Sequence, residues 1–431
     1  MPNGKSSAGL VEVAVLTPVG LRKHRRNSFK AGRTRTIAEQ WLRTILGTLR
    51  EQSTITRSEI LGKTGLNGAS ACHALQHLIR AGIVFKAGEL QSKTGRRREI
   101  LRLNPEAAYL VAVDLEASPI RFALTNLLGD LVCRWEENVD LREPLDLAKI
   151  AKGVDMVCRN LARSQRERVL AVGMSRPGVQ DSHGRVTALN LGWRQFPLEE
   201  NLISVLSLPC FVQNSAQSFI MAERSHGRAQ NSENCIYVEA GKGVGAGVVA
   251  NNQFLGGHTQ VEFGHITIDP GASDLCKCGK RGCLEAIASG PNIIRQYLER
   301  TASGITPAVM HLADVFDRAR DHDADAIHVV NRVARLLGIG ISHLVAMFSP
   351  ELIILGGYLV RAEDLFVPRL REELSLHVCE WMGHCEIAIS ALGIDIGLKG
   401  AASAAFYGIL NDPRLLKTMC RLEKLAAAGS C

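Results

Sequence analysis

Residues 262–285, EFGHITIDPGASDLCKCGKRGCLE, are the most specific stretch of the chain. They hold His265 followed by Cys276, Cys278 and Cys283. One imidazole and three thiolates are the four N/S ligands that close a tetrahedral zinc site and leave no position for catalytic water. A disulfide or a set of free thiols is the alternative. The spacing favours a structural Zn²⁺ ion as a cofactor.

Short apolar strands alternate with helical segments on both sides of this stretch, over residues 105–411. Alternation of this kind predicts an α/β body with two lobes. The predicted strands are 109–113, 120–125, 169–174, 210–213, 235–239, 245–250 and 352–355.

The composition indicates a folded protein of two or three domains, because 46% of its 431 residues are apolar and only 22% are charged. The sequence contains no apolar run as long as a membrane span, and its start lacks the order of a secretory signal. We therefore expect a cytoplasmic protein without membrane insertion. Most of its twelve cysteines stand alone in apolar stretches, as reduced thiols do.

Positive charge is concentrated at the N-terminus. Residues 1–104 carry 19 Lys and Arg against six Asp and Glu, although the whole chain has 51 against 43. A basic segment joined to a mildly acidic body is typical of a protein that binds nucleic acid. Residues 1–33 are predicted to be a basic, disordered tail.

Residues 34–104 have the pattern of a winged helix-turn-helix domain. A helix is predicted over 36–50 from its apolar spacing. A second helix starts at Thr56, with Glu59 as its capping-box partner, and ends at Gly65. A third runs to Arg80. An ordinary helical hairpin is the alternative.

The third helix would be the one that enters the major groove of DNA. Its apolar side, with Leu75, Leu78 and Ile79, would pack on the core. The other side would face DNA with Asn67, Ser70, His73, Ala74 and His77.

Two short strands, 83–85 and 100–103, follow this helix and enclose a basic loop. This is the pattern of a wing. Its cations are suited to DNA phosphates or to a narrow minor groove, and they are Lys93, Arg96, Arg97 and Arg98.

The chain resembles the ROK family, whose members are repressors and sugar kinases. The resemblance covers about residues 36–410 and includes, besides 262–285, the segments 190–193 (NLGW), 352–357 (LIILGG) and 398–402 (LKGAA). It implies a two-lobed, actin-like (ribonuclease H-like) ATPase or sugar-kinase fold behind the winged helix-turn-helix. It also implies a sugar-binding or effector-binding site formed by Asn190, Asn214, Glu262, His265 and Glu285.

Kinases of this family carry an Asn-Asp step whose Asp acts as general base. This chain has Asn214-Ser215, and a serine hydroxyl does not accept that proton near neutral pH without a base of its own. Glu116 and Pro119 stand in the first phosphate loop, where a carboxylate repels phosphate and proline lacks an amide donor. The glycines of the second loop, 241–247, are present. We expect no catalytic residue, no kinase activity and no ATP binding.

These features favour a transcriptional regulator that binds double-stranded operator DNA as a homodimer or homotetramer. It would repress genes of sugar uptake or catabolism until a sugar or sugar derivative binds, and it would lie on the bacterial nucleoid when bound to DNA. The alternatives are an active ATP-dependent sugar kinase with a DNA-binding or partner-binding head, and a repressor controlled by a protein partner. Residues 412–431 are expected to form a C-terminal tail.

Overall fold

The computed structural model describes residues 37–52, 54–65, 68–90, 97–142, 145–255, 261–301, 309–382 and 384–421. These residues form a small N-terminal unit, called the head (37–103), and two larger lobes, together called the body (109–421).

The head contains three helices and a three-stranded antiparallel sheet in the order β1-β3-β2. Thr56 and Glu59 form the predicted capping box, in which the Glu59 carboxylate accepts from the Thr56 amide at 2.7 Å. Gly65 ends the second helix with a φ of 62°, a left-handed conformation that glycine adopts without strain. The elements are α1 (Ile37–Glu51), β1 (Ile55–Thr56), α2 (Arg57–Thr64), α3 (Gly68–Arg80), β2 (Val84–Leu90) and β3 (Arg98–Leu103).

Helix α3 packs its apolar face on α1, as its spacing predicts. Leu75 and Leu78 are fully buried, whereas His73 and His77 are exposed. The prediction that Ala74 faces outward is wrong, because it is only 6% exposed and belongs to the core. A methyl group fits at this position between the larger side chains of that face.

The first lobe is built on a five-stranded mixed sheet in the order β11-β7-β4-β5-β6, with a small antiparallel sheet, β10-β9-β8, at its side. Its strands are β4 (Tyr109–Asp114), β5 (Ile120–Asn126), β6 (Leu131–Glu137), β7 (Val169–Arg176), β8 (Val179–Gln180), β9 (Val186–Ala188), β10 (Trp193–Phe196) and β11 (Cys210–Asn214). Its helices are α4 (Leu147–Cys158), α5 (Arg163–Arg166) and α6 (Leu198–Val205).

The second lobe has a mixed sheet in the order β14-β13-β12-β15-β16, covered by helices. Its strands are β12 (Cys235–Ala240), β13 (Val244–Ala250), β14 (Gln253–Leu255), β15 (Leu352–Gly357) and β16 (Glu386–Ile389). Its helices are α8 (Leu284–Ala288), α9 (Gly290–Thr301), α10 (Leu312–Arg320), α11 (Ala324–Phe348), α12 (Tyr358–Arg361) and α13 (Glu363–His377). Among the described residues only α11 is long and apolar enough for a membrane span, and 67% of its apolar window is buried inside the protein.

Two helices, α7 (Ser215–His226) and α14 (Ile396–Asn411), pack against each other between the two sheets. Helix α14 lies on β4 and β7 of the first lobe, and α7 lies on β12 and β13 of the second. Their backbones are close, since a Cβ placed on Gly400 would lie 2.5 Å from the Ser218 carbonyl oxygen. This tight contact joins the lobes into one packed unit.

The end of α1 docks on the body through charged groups that are nearly buried. The Glu51 carboxylate lies 2.5 Å from the Arg224 guanidinium at the end of α7 and accepts from the Tyr407 hydroxyl at 2.8 Å. Arg50 is 3% exposed, donates to the Leu127 carbonyl oxygen and covers the Phe406 ring at 4.4 Å. Burial lowers the pKa of Arg50 to about 10. Head and body therefore share one continuous core.

The expectation of a tail over 412–431 is wrong for its first part. Helix α15 (Pro413–Met419) begins with Asp412 as N-cap and packs Leu416 and Met419 into the core shared with the head. Lys417 also lies 2.9 Å from Glu39 of α1. The capping residue and the two apolar side chains are ordinary helix signals that the prediction overlooked. Residues 1–36 and 422–431 lie outside the described part of the chain.

Glu51→Ala should lower the free energy of unfolding by about 3 kcal/mol, because it leaves the Arg224 guanidinium buried without its partner. Urea-induced unfolding followed by circular dichroism measures the change. The matched control is Glu167→Ala, which removes an ion pair whose side chains are 95% and 58% exposed and should have little effect. Equal effects of the two substitutions would contradict the structural role of Glu51.

Candidate functional site

A cavity of about 550 Å³ lies between the two lobes. This size suits a small organic ligand. Its lining includes all five side chains predicted to form the effector site, Asn190, Asn214, Glu262, His265 and Glu285.

Asn214 begins helix α7 at the wall of this cavity. Its Oδ1 accepts from the amides of Ala216 at 3.1 Å and Gln217 at 3.4 Å, and its Nδ2 donates to the Gly178 carbonyl oxygen at 2.9 Å. The side chain thus serves as the N-cap of α7 and links it to the first lobe. The amides of Ala216 and Gln217 thus have an acceptor within the protein.

Ser215 follows at the first position of α7 and has a carboxylate beside it. The Glu116 carboxyl group, which comes from the loop after β4, lies near its hydroxyl, and this hydroxyl acts to lower the pKa of Glu116. Burial raises the pKa of Glu116, and the nearby charge of Asp114 raises it further. Ser215 and Glu116 lie in separate segments of the sequence, and the fold brings them close together.

Glu239 is a cavity residue that the sequence analysis missed. It lies near the end of β12, where its carboxylate accepts from the Tyr237 hydroxyl at 2.7 Å. Burial is the main cause that raises the pKa of Glu239 to about 7, and repulsion from Glu116 and Asp114 adds to it. Strands β12 and β15 run parallel. Binding groups usually lie at the carboxyl ends of parallel strands, and this rule could have identified Glu239 as a site residue.

The glycine loop between β12 and β13 is also bonded to a side chain of the protein itself. The Glu285 carboxylate accepts from the Val244 amide at 3.1 Å, and a Cβ on Gly243 would lie 2.7 Å from the same carboxylate. Gly243 therefore allows Glu285 to approach the loop backbone. The Gly241 amide donates to the Gly243 carbonyl oxygen at 2.8 Å.

A second cavity, of about 530 Å³, adjoins the first and shares Glu116, Phe219 and Glu239 with it. The Arg121 guanidinium faces this cavity but lies 2.7 Å from Asp114, whose carboxylate is 2% exposed. Burial raises the pKa of Asp114 despite this partner. The two cavities together form a continuous cleft with carboxylates at their junction.

The predicted metal ligands form one cluster at the side of the first cavity. The ligand atoms of His265, Cys276, Cys278 and Cys283 all lie within 4.8 Å of one another. The His265 Nδ1 is 3.6 Å from the Cys276 Sγ, and the Cys278 and Cys283 sulfur atoms are 3.7 Å apart. Bonds of about 2.3 Å from a tetrahedral ion to sulfur place two sulfurs at about this separation, whereas a disulfide needs about 2.05 Å. The cluster therefore fits a metal ion and not a disulfide.

Two glycines shape the loop that carries the three cysteines. Gly279 and Gly282 have φ values of 88° and 72°, which favour glycine. A Cβ on Gly282 would lie 2.0 Å from the Asp269 carbonyl oxygen, so the loop backbone passes there without room for a side chain. His265 belongs to both the metal cluster and the cavity lining.

The residues predicted to contact DNA are only partly described. His73 and His77 are exposed on α3, one turn apart, and Arg97 and Arg98 are exposed where β3 begins. The Arg97 guanidinium lies 3.2 Å from Glu89 across the hairpin. Ser70 lies within α3. The other predicted contacts, Asn67, Lys93 and Arg96, lie outside the described residues.

A family model described as the ROK family matches residues 111–406, more than half of the chain. The chain belongs to the ROK family. It is 27% identical to the xylose repressor of Bacillus spizizenii over 85% of this chain and 95% of that protein. It is 30% identical to the glucokinase of Halalkalibacterium halodurans over 68% of this chain and 93% of that enzyme.

Its fold is similar to the crystal structure of a ROK family transcriptional regulator that is described as a homologue of the Escherichia coli Mlc protein. The TM-score is 0.73, with 24% identity over 89% of this chain and 99% of that one. This likeness covers more of the chain than the two lobes alone contain. The structural similarity therefore extends into the head.

Cys283→Ser should remove a bound metal ion from this ROK protein and lower its melting temperature, since it takes one of four ligands from the cluster. Elemental analysis of the purified protein and a thermal melt measure the two effects. Cys210→Ser, at a buried cysteine away from the cluster, is the matched control and should leave the metal content unchanged. Equal metal content in both variants would mean that the cluster is not the binding site.

Proposed function

We propose that this ROK protein is a DNA-binding transcriptional repressor of sugar uptake or catabolism genes, relieved when a sugar or sugar derivative binds in the cleft between the lobes. The observation that carries the proposal is the extent of similarity to the xylose repressor. That match covers 85% of this chain, more than residues 105–431 contain, so it reaches into the head. The glucokinase match, over 68%, is no longer than the body.

The architecture of the head supports DNA binding. The prediction of a winged helix-turn-helix is supported by helices α2 and α3, with Gly65 at the end of α2, and by the antiparallel strands β2 and β3 that follow. The exposed polar face of α3 would enter the major groove, and the arginines of the hairpin would contact phosphates. Residues 1–104 carry 19 basic and six acidic residues, and this excess of positive charge favours DNA binding.

Helix α7 provides a physical connection from the cleft to the head. Asn214 and Ser215 begin it at the cavity, and Arg224 and His226 end it beside Glu51 and Arg50 of α1. Ten of its twelve residues are buried, so the helix is expected to move as a rigid body. A ligand that binds the DNA-competent and DNA-incompetent arrangements with different affinity would shift this helix and the head with it.

The remaining properties follow from this proposal. The cluster of His265 and three cysteines would hold a structural Zn²⁺ ion that fixes the loop beside the cleft. The protein would act in the cytoplasm, on the nucleoid, as a homodimer or homotetramer on a palindromic operator. It would not be an enzyme, because Ser215 replaces the catalytic aspartate of the ROK kinases.

The double substitution Arg97→Ala with Arg98→Ala should weaken binding to a random-sequence DNA duplex. The slope of log affinity against log salt should fall by about 0.9 for each phosphate that the variant no longer neutralises. Fluorescence anisotropy at several salt concentrations measures both. The control, Arg163→Ala with Arg371→Ala, removes two exposed body arginines and should change neither. Unaltered affinity and slope in the hairpin variant would refute the DNA-binding assignment of the hairpin.

A sugar kinase is the second candidate, and the contact between Glu116 and Ser215 favours it, because Glu116 supplies a carboxylate beside the serine. The second phosphate loop opposes it, since its Val244 amide already donates to Glu285. We expect a coupled assay with ATP and a panel of hexoses to show no turnover by the natural chain. Turnover that disappears in Glu116→Gln would establish the kinase instead. Ser215→Asp tests whether the aspartate alone restores activity.

A further inference from the structure

We propose that strand β6, at the edge of the first lobe's sheet, pairs antiparallel with the same strand of a second copy of this chain. The two five-stranded sheets would then form one sheet across a twofold axis. This inference rests on the proposed function and deepens it, because it names the surface through which two repressor chains would associate.

Strand β6 presents an open edge to a further strand. In the part of the chain that the structure describes, it pairs with β5 on one side and with no strand on the other. Exposed and half-buried residues alternate along it, and the exposed face carries Val132, Arg134 and Glu136. Val132 is 53% exposed although it is apolar. An edge of this kind is a template for a strand from another chain.

The charges on the exposed face of β6 favour one register of self-pairing. When Trp135 lies opposite Trp135 of the second copy, each Arg134 lies opposite a Glu136, and this pairing occurs twice. The side-chain faces match again only after a shift of two residues. That shift would place Arg134 opposite Arg134, or Glu136 opposite Glu136. Opposite charges directly across an antiparallel pair stabilise it, and like charges destabilise it.

The other contacts of β6 are compatible with this register. Trp135 is half-buried on the opposite face, and an aromatic pair across two strands is a stabilising contact. Glu137 adds no uncompensated charge to that face, because its carboxylate lies 2.8 Å from the Lys152 Nζ. The Arg134 guanidinium lies 2.8 Å from Asp395, yet this side chain is still 54% exposed and can contact a further carboxylate.

The position of the head gives independent support for the same register. The head docks on the turn before β6, where Arg50 donates to the Leu127 carbonyl oxygen and a Cβ on Gly129 would lie 2.6 Å from the Arg50 guanidinium. With Trp135 at the twofold axis, position 130 of one copy is level with position 140 of the other. The two turns are then about ten residues apart along the strands, or about 34 Å at about 3.4 Å per residue. One turn of DNA, about 34–36 Å, separates the half-sites of a palindromic operator.

Sedimentation velocity on the full-length protein, over a range of concentrations, measures this self-association. Glu136→Arg would place like charges opposite each other twice and should raise the dissociation constant at least about tenfold. Arg134→Glu combined with Glu136→Arg exchanges the two charges and should restore association. Glu200→Arg, at an exposed position of α6 in the same lobe, is the matched control and should leave association unchanged.

Circular dichroism verifies that each variant is folded. If the double variant does not fold, Glu136→Gln provides the comparison, because it removes the attraction without adding repulsion. Its dissociation constant should lie between those of the natural chain and Glu136→Arg. The inference is overturned by a natural chain that stays monomeric, by association that Glu136→Arg leaves unchanged, or by a folded double variant that does not recover.

The DNA-binding measurement on the hairpin variant separates this inference from the proposed function. DNA binding by the natural chain, together with unchanged association of Glu136→Arg, would overturn the β6 interface and leave the proposed regulator intact. Association that follows the exchange of charges in a chain that binds no DNA would support the interface and refute the repressor.

Discussion

The burial of helix α7 between the lobes is the constraint on which the other features depend. Its first turn is capped by Asn214, which also bonds to the first lobe, and its body packs on α14 and on the sheet of the second lobe. Its last turn presents Arg224 to the head. A helix with partners along its whole length cannot shift at one end alone, because a packed interior transmits displacement instead of absorbing it. The cleft, the lobes and the head are therefore mechanically linked.

Local patterns predicted much of the fold. The seven strands expected from apolar runs correspond to β4, β5, β7, β11, β12, β13 and β15, and the capping box at Thr56 was placed correctly. The edge strands β6 and β16 were missed, since half-exposed strands lack a continuous apolar run. Helix α15 was missed although Asp412 as N-cap and the apolar positions that pack on the head core are ordinary helix signals.

The candidate site was predictable where its residues are neighbours in sequence and unpredictable where the fold brings distant ones together. His265 and the three cysteines lie within twenty positions, so their spacing identified them. Glu116 and Ser215 are about a hundred positions apart, and nothing in either segment indicates their contact. The same holds for Glu51 and Arg224, whose pairing requires the docking of α1 on the body.

The docking of α1 also restricts which heads can be combined with this body. A head taken from another member of the family would retain its own fold, yet it would meet Arg224 and the Tyr407 hydroxyl at the joint. Without an acidic side chain at the end of its first helix, the chimaera would bury a cation with no counter-charge. Exchange of the head on this body is thus restricted by charge complementarity at one joint.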